Sequence, residues 1–239
     1  MATEVLGQDV DPLELTVEVK ADGFRTRRQT ADPVGDLAAS RGNGLLQKYR
    51  GRALLITTGA CAIHCRYCFR RHFPYDEQSP RMRWDSVAAA LTEMPDVDEM
   101  ILSGGDPLML SDRRLGELVA SLQPVRSLRR LRIHTRLPVV LPNRITTDLV
   151  EIFAAQRLPV VWVIHANHPN ELSPSLQRAL ALLRVSGGTL LNQRFLPDVL
   201  EGEGGIEKLG HLIRAYFRLN GHHLQSKQES AKCLRRGHR

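Results

Sequence analysis

From residue 51 onward, short apolar runs alternate with longer stretches in which apolar residues recur at helical spacing. The apolar runs are RALLITT (52–58), EMILSG (99–104), RLRIHT (130–135), PVVWVIH (159–165) and GTLLNQ (188–193). The amphipathic stretches span 84–94, 113–122, 147–156 and 174–186. The first set predicts β-strands and the second predicts helices, with helix-start signals at Asp112 and at Ser173-Pro174.

Strands that alternate with helices at roughly 30-residue intervals predict a parallel sheet built from βαβ units. Such a sheet either closes as a barrel or opens as a doubly wound sheet, and both forms bind ligands at the carboxyl ends of the strands. Polar segments follow these ends at TTGAC, SGGDP, HTRLP, HANHPNE and LNQ. We therefore expect one edge of an α/β domain to carry the functional site.

The segments outside this alternation of predicted strands and helices have other sequence patterns. Residues 1–50 are polar and contain turn signals such as ADPVGD and SRGNG, which predict an irregular N-terminal extension before a domain at 51–193. Segment 194–225 carries apolar residues at a helical period and is predicted to be an amphipathic helical segment. Residues 226–239 predict a disordered basic tail.

Composition narrows the class of protein. A chain of 239 residues suits one domain, and no apolar run approaches the roughly 20 residues of a transmembrane helix. The acidic N-terminus lacks the order of a signal peptide, so we expect a cytoplasmic location and no membrane partner. The formal charge of +7 is spread along the chain and aromatic residues make up 5%, so we expect no nucleic-acid partner.

Three of the four cysteines, Cys61, Cys65 and Cys68, lie in the motif C-x3-C-x2-C. In a reducing compartment, clustered cysteines indicate metal binding or catalysis rather than disulfides. A zinc site completed by His64 or His72 and a single reactive thiol are two alternatives. A [4Fe–4S] cluster is the favoured interpretation, because three thiolates leave one iron open for an external ligand.

The spacing of these cysteines resembles the signature of the radical S-adenosylmethionine (SAM) superfamily. The resemblance implies an α/β fold of the partial (βα)6 TIM-barrel type. It makes Cys61, Cys65 and Cys68 the ligands of a [4Fe–4S] cluster whose open iron binds SAM. It also implies that Tyr67 lies beside the SAM adenine.

The stretch SGGDP at the end of the second predicted strand is similar to a second superfamily element. Taken alone, such a turn is more often structural, because glycine serves wherever the backbone needs close approach. After the cysteine motif, the resemblance implies that Ser103, Gly104, Gly105 and Asp106 hold the methionine amino group of SAM.

Longer segments resemble the lysine 2,3-aminomutase family, and in particular its elongation factor P branch, over about residues 32–193. These segments are CRYCFRRHFPY, DEMILSGGDPLML, LRRLRIHTRLPVVLPNRIT and HANHPNEL. The resemblance implies an isomerase that converts L-lysine to β-lysine for modification of elongation factor P, using a 5′-deoxyadenosyl radical and pyridoxal phosphate (PLP). It also implies an electron donor such as flavodoxin or ferredoxin, and it is compatible with an oligomer.

The same resemblance implies roles for further residues. Arg70 would receive the lysine carboxylate, for which a guanidinium fork is suited. The residues expected near the PLP phosphate are Lys48, Tyr49 and Arg52, and those expected around SAM and PLP are His165 and Gln193. Arg71, His134 and Arg136 also follow strand ends, where ion pairing explains them equally well.

The resemblance ends at TLLNQ. We recognise no counterpart of the later family segments that carry the PLP-anchoring lysine, and Lys208, Lys227 and Lys232 lack the expected Gly-rich context. The expected fold is therefore a barrel truncated after about five strands, with a weakened PLP and lysine half. Segment 194–225 instead resembles a C-terminal stretch of glycyl radical enzymes. Two further hypotheses are SAM cleavage without aminomutase turnover and a non-catalytic fragment that binds a cluster or zinc.

Overall fold

The computed structural model describes residues 32–65, 68–78, 83–167 and 169–193, together with the backbone of two strands nearer the N-terminus. The segments 194–225 and 226–239, for which the sequence predicts a helix and a disordered tail, lie outside the described residues. None of the described helices combines the length and the hydropathy that crossing a lipid bilayer requires.

Within the described residues, the main sheet contains six strands that lie side by side in sequence order. An antiparallel pair, β1 (Leu15–Val19) and β2 (Arg25–Gln29), precedes it. The main sheet comprises β3 (Leu45–Tyr49), β4 (Arg52–Thr58), β5 (Glu99–Gly104), β6 (Arg130–Thr135), β7 (Val160–Ile164) and β8 (Thr189–Asn192). Strand β3 is antiparallel to β4, and every later neighbouring pair is parallel. An order without reversal is that of a (βα) barrel rather than a doubly wound sheet, which confirms the expected partial barrel with five parallel strands.

Helices connect the successive parallel strands. They are α1 (Tyr75–Gln78), α2 (Trp84–Thr92), α3 (Asp112–Leu122), α4 (Leu137–Val140), α5 (Thr147–Ala154) and α6 (Pro174–Val185). The side chains of Ser111, Thr146 and Ser173 cap α3, α5 and α6 by accepting backbone N–H groups of the first turn. These caps fix where each helix leaves the carboxyl edge of the sheet.

The core lies between the sheet and four of these helices. Alternate strand residues such as Met100, Leu102 and Ile133 pack against α2, α3, α5 and α6 in one continuous apolar cluster. Trp162 on β7 meets Phe153 on α5 edge to face, with ring centroids 5.0 Å apart. The opposite side of the sheet, called the inner face below, carries the intervening strand residues, and these are largely polar on β5 and β6.

The predicted elements agree closely with the observed ones. Strands β4, β5 and β6 have the predicted bounds, whereas β7 and β8 are one residue shorter at each end. The N-terminal extension is not irregular throughout, because three strands fall within residues 1–50. The prediction missed β3, whose pattern is polar at one end, since its pairing with β4 is a tertiary contact. Asp112 begins α3, but the cap is the preceding Ser111.

The central position of α3 predicts a large stability loss when its core side is truncated. Leu118 is fully buried, so Leu118→Ala should lower the free energy of unfolding by about 2–5 kcal/mol. The matched variant Val185→Ala, at a residue that is 81% exposed, should change it by no more than about 0.5 kcal/mol. Urea unfolding followed by circular dichroism measures both, and equal effects would contradict the assigned core.

Candidate functional site

The three cysteines lie in the loop that leaves the carboxyl end of β4. Cys61, Cys65 and Cys68 are all half-buried and carry free thiols. Burial, the Asp106 carboxylate and the two neighbouring cysteines raise the pKa of the Cys61 thiol to about 11. Thiolates gathered in such surroundings need a nearby positive charge, which a bound iron centre supplies. The donor set therefore fits an iron–sulfur cluster.

The zinc alternative gains no support from the geometry. Within the described residues, no group of three His, Cys, Asp or Glu side chains is placed to hold a single metal ion. A mononuclear tetrahedral site brings its ligands much closer together than a four-iron cluster does. His64 is exposed beside Cys65, and His72 is exposed beyond the last cysteine.

The SGGDP turn braces the beginning of the cysteine loop through backbone contacts. The Gly105 N–H donates to the Thr58 carbonyl at 2.7 Å, and the Asp106 N–H donates to the Ala60 carbonyl at 2.8 Å. A Cβ on Gly105 would lie 2.8 Å from the carbonyl carbon of Ala60. Gly104 has a φ of 114° and equally tight contact with Thr58, so neither position accepts a larger residue. The two predicted motifs thus form one packed unit.

Aromatic side chains hold the far end of the same loop. Phe73 is buried against Ile56 of β4 in a small apolar cluster, and it meets Tyr75 edge to face at 5.1 Å. Tyr75 in turn packs so closely on Gly59 that a Cβ there would lie 2.8 Å from its ring. The loop is consequently fixed at both ends, although Tyr67, predicted to lie beside the SAM adenine, is outside the described residues.

Asp106 is saturated by internal hydrogen bonds. Its Oδ1 accepts from the Thr135 hydroxyl at 2.7 Å and from the Leu108 N–H, and its Oδ2 accepts from the N–H groups of Arg136 and Leu137. Burial raises the pKa of this carboxyl, while these hydrogen bonds act in the opposite direction. Because all four acceptor sites are used, the geometry assigns Asp106 to joining the ends of β5 and β6. Its predicted contact with the SAM ammonium stays a prediction.

Arg70 is buried and meets a carboxylate that sequence reasoning overlooked. Its Nε donates to Asp36 Oδ2 at 2.7 Å, and its Nη1 donates to the Ser103 hydroxyl at 3.2 Å. Lys48 pairs with the other oxygen of Asp36 at 2.5 Å. Two cations predicted to serve substrate and PLP therefore converge on one acid. Asp36 is the last residue of the polar segment ADPVGD, which the sequence analysis interpreted only as a turn.

Arg52 lies at the opposite, amino end of β4. It faces Glu99 at 3.6 Å and stacks over the ring of Tyr49, which is exposed. Glu99 is buried and also pairs with Arg130 and Arg132, so a single carboxylate faces three guanidinium groups. This excess of positive charge is compatible with an anion at this end of the sheet, and the predicted contacts of Tyr49 and Arg52 with a PLP phosphate stay predictions.

A pair of neutral histidines faces the inner side of the sheet near its carboxyl edge. His134 and His165 meet edge to face with centroids 5.6 Å apart, and the Nε2 atom of each is shut off from water without a hydrogen-bond partner among the described residues. Burial and nearby positive charges lower the pKa of His134 to about 3 and that of His165 to about 4. Gln193, which is exposed, interacts with His134. Buried nitrogens without a hydrogen-bond partner are uncommon in folded proteins, and the contact of His165 with SAM or PLP stays a prediction.

The loop that carries His165 is itself held in place. Arg136 bridges the His165 carbonyl oxygen and the Glu171 carboxylate, and the Asn192 amide pairs with both backbone groups of Ala166. Ion pairing was one of the two predictions for Arg136, and the Glu171 carboxylate is its ion-pair partner. His134 instead makes no ion pair in the described part of the chain.

Comparison with known families identifies the class. The model of the Radical SAM superfamily matches residues 55–188, which is more than half of the chain. The chain belongs to this superfamily. A [4Fe–4S] cluster and SAM follow from that membership, whereas the roles of the three cysteines and of the SGGDP turn in binding them stay predictions.

The curated relatives are L-lysine 2,3-aminomutases, which confirms the isomerase family predicted from the motifs. The protein of that name from Escherichia coli (strain K12) is 51% identical over 175 residues, covering 73% of this chain and 51% of that protein. The one from Haemophilus influenzae is 41% identical over 85% of this chain and 61% of its own length. The one from Clostridium subterminale is 38% identical over 69% of this chain. The chain spans about half the length of the curated relatives it matches.

A second family model, for the glycine radical, matches residues 179–238. This confirms the likeness to glycyl radical enzymes that the sequence indicates after residue 193. The match begins earlier and ends later than the predicted segment 194–225, so it overlaps α6 and β8 and includes part of the predicted basic tail.

The close contact between Gly105 and the Ala60 backbone predicts that a side chain at position 105 weakens cluster binding. In Gly105→Ala the new Cβ collides with the Ala60 carbonyl group, so the cysteine loop must shift. We expect a loss of at least half of the bound iron and sulfide after anaerobic reconstitution. Gly116→Ala, whose Cβ meets its nearest neighbour at 4.0 Å, is the matched control and should bind iron like the unaltered chain. Equal iron content in both variants would contradict the role of the brace.

The low pKa values of His134 and His165 predict that the free energy of unfolding decreases in acid. Because the folded pKa values lie below the usual 6.5, the unfolded chain binds more protons below about pH 6.5, and the free energy of unfolding falls as pH decreases toward 4. Replacing His134 by Asn should reduce this slope by about 1.4 kcal/mol per pH unit. Urea unfolding between about pH 5 and 7 measures it, and an unchanged slope would show that His134 titrates normally.

Proposed function

We propose that this chain is the core of a lysine 2,3-aminomutase that generates its radical at the Cys61–Cys68 loop. The observation that supports this most is the packing of the SGGDP turn against that loop, because it links the cluster ligands to the predicted SAM segment in one rigid unit. When bound, the cluster and SAM supply a 5′-deoxyadenosyl radical, and PLP supplies the electron sink on which an amino group migrates.

The described residues divide the remaining work on the inner face. The Arg70 guanidinium is proposed to bind the carboxylate of L-lysine, since its position is fixed by Asp36 and Ser103. His134 and His165 stay uncharged at neutral pH, so they offer hydrogen bonds to a ligand without attracting a competing anion. The apolar pair Ile56 and Phe73 covers the neighbouring part of this face and excludes water from it.

The PLP part of the proposal depends on residues beyond those described. Lys48 is the single lysine within residues 32–193, and its Nζ is held by Asp36 and by the Val34 carbonyl oxygen. It is therefore a phosphate-side residue in this proposal and not the lysine that attaches PLP. Modification of elongation factor P and an electron donor such as flavodoxin or ferredoxin are further parts of the proposal, supported by the motif resemblance.

A second candidate function is SAM cleavage without rearrangement, and the pairing of Lys48 favours it. The described residues contain both motifs for the cluster and SAM, yet the one lysine among them is already paired. Such a chain releases 5′-deoxyadenosine slowly and leaves lysine unchanged.

The test is an anaerobic assay of the reconstituted full chain with SAM, PLP, dithionite and L-lysine, in which 5′-deoxyadenosine and β-lysine are followed together. We expect both products, and we expect Cys65→Ala to abolish both because one cluster ligand is lost. Cys233→Ala, outside the cysteine motif, is the matched control.

The two products separate the hypotheses. 5′-Deoxyadenosine without β-lysine would select the second candidate. Neither product, from protein whose iron and sulfide content shows an intact cluster, would reject an enzymatic function for this chain.

A further inference from the structure

Asp36 lies between two cations that the proposed function reserves for ligands. Its side chain is 3% exposed, with Arg70 on one oxygen and Lys48 on the other. Burial alone would raise the pKa of the Asp36 carboxyl, but the charges and hydrogen bonds of Arg70 and Lys48 outweigh burial and lower it. The carboxylate is therefore charged at neutral pH and permanently paired.

The backbone around Asp36 holds the carboxylate in a fixed place. The Asp32 side chain accepts the N–H groups of Asp36 and Leu37, both at 2.8 Å. Gly35 adopts a φ of 68°, and Lys48 also bonds the Val34 carbonyl oxygen. The Asp36 carboxylate therefore offers Arg70 an acceptor whose position is fixed by its own backbone contacts.

The contacts also decide which side of the guanidinium remains available. Asp36 takes the Nε–H and the Ser103 hydroxyl takes one Nη1–H, and within the described residues no acceptor faces Nη2. Both Nη2 hydrogens therefore stay available to an acceptor. An arginine held in this way can donate them to a carboxylate as charge-assisted hydrogen bonds.

We propose that Asp36 is a positioning residue that orients Arg70, so that its Nη2 group receives the carboxylate of an α-amino acid ligand. The proposal rests on the proposed function, since that function places the ligand at Arg70. Arg70, Lys48 and Asp36 together carry a net charge of +1, which complements the negative charge of one ligand carboxylate. Without Asp36, only the Ser103 hydroxyl and the ring of Phe69 hold the guanidinium, and its Nε–H becomes available to the same ligand.

The experiment measures ligand selectivity in the full chain after reconstitution with the cluster, SAM and PLP. Isothermal titration with L-lysine and with L-lysinamide, which lacks the carboxylate, gives the ratio of the two dissociation constants. The unaltered chain should prefer lysine by at least about tenfold, the value of one charge-assisted hydrogen bond. Asp36→Asn leaves Arg70 charged but no longer oriented, so it should lower this ratio, and Asp36→Glu should restore part of it.

Asp96→Asn is the matched control, because Asp96 also pairs with an arginine but is exposed. It should keep the full preference for lysine. Thermal unfolding of every variant checks the fold, and if Asp36→Asn does not fold, Asp36→Glu decides, since it retains the charge and displaces the oxygens. A ratio in Asp36→Glu equal to that of the unaltered chain would then overturn the proposal.

The outcomes separate this inference from the function on which it rests. A full preference for lysine in both the unaltered chain and Asp36→Asn would overturn the role of Asp36 and leave the ligand at Arg70. No preference in the unaltered chain would remove the ligand from Arg70 and overturn the inference with it. A stability loss in Asp36→Asn with unchanged selectivity would show a purely structural ion pair.

Discussion

The close approach of two backbone segments is the constraint on which the site depends. The turn after β5 lies against the loop after β4 with no room for a side chain at Gly104 or Gly105, and two backbone hydrogen bonds join them. The parallel register of β4 and β5 brings their carboxyl ends to the same level and makes this contact possible. The sheet therefore fixes the beginning of the loop that carries the three cysteines, which are the predicted cluster ligands.

Charge on the inner face is arranged in pairs that limit what can bind there. Asp36 satisfies Arg70 and Lys48 near the carboxyl edge, while Glu99 faces three arginines near the amino edge. Buried ion pairs contribute little to net stability, because desolvation offsets their attraction. Their value here lies in geometry, since each buried carboxylate fixes the direction of a guanidinium.

The radical SAM match covers most of the described residues and ends at residue 188, just before β8. Residues 55–188 match the radical SAM model, and the glycine radical model takes over from within α6. The radical SAM match thus covers most of the described parallel strands, whereas a different sequence similarity covers the C-terminal part. The two matches overlap at residues 179–188, which immediately precede β8, the edge strand of the described sheet.

The sequence by itself determined the bounds of several strands and the family, because both rest on local patterns. Hydrophobic periodicity predicted the bounds of β4 to β6, and C-x3-C-x2-C together with its neighbouring segments indicated the radical SAM superfamily. Only the tertiary structure decided the partners of Asp106, Asp36 and His134. Thr135, Arg70 and His165, which contact Asp106, Asp36 and His134 respectively, each lie about 30 residues away along the chain. A side chain's role depends on what burial places beside it, and no local pattern in the sequence encodes that neighbour.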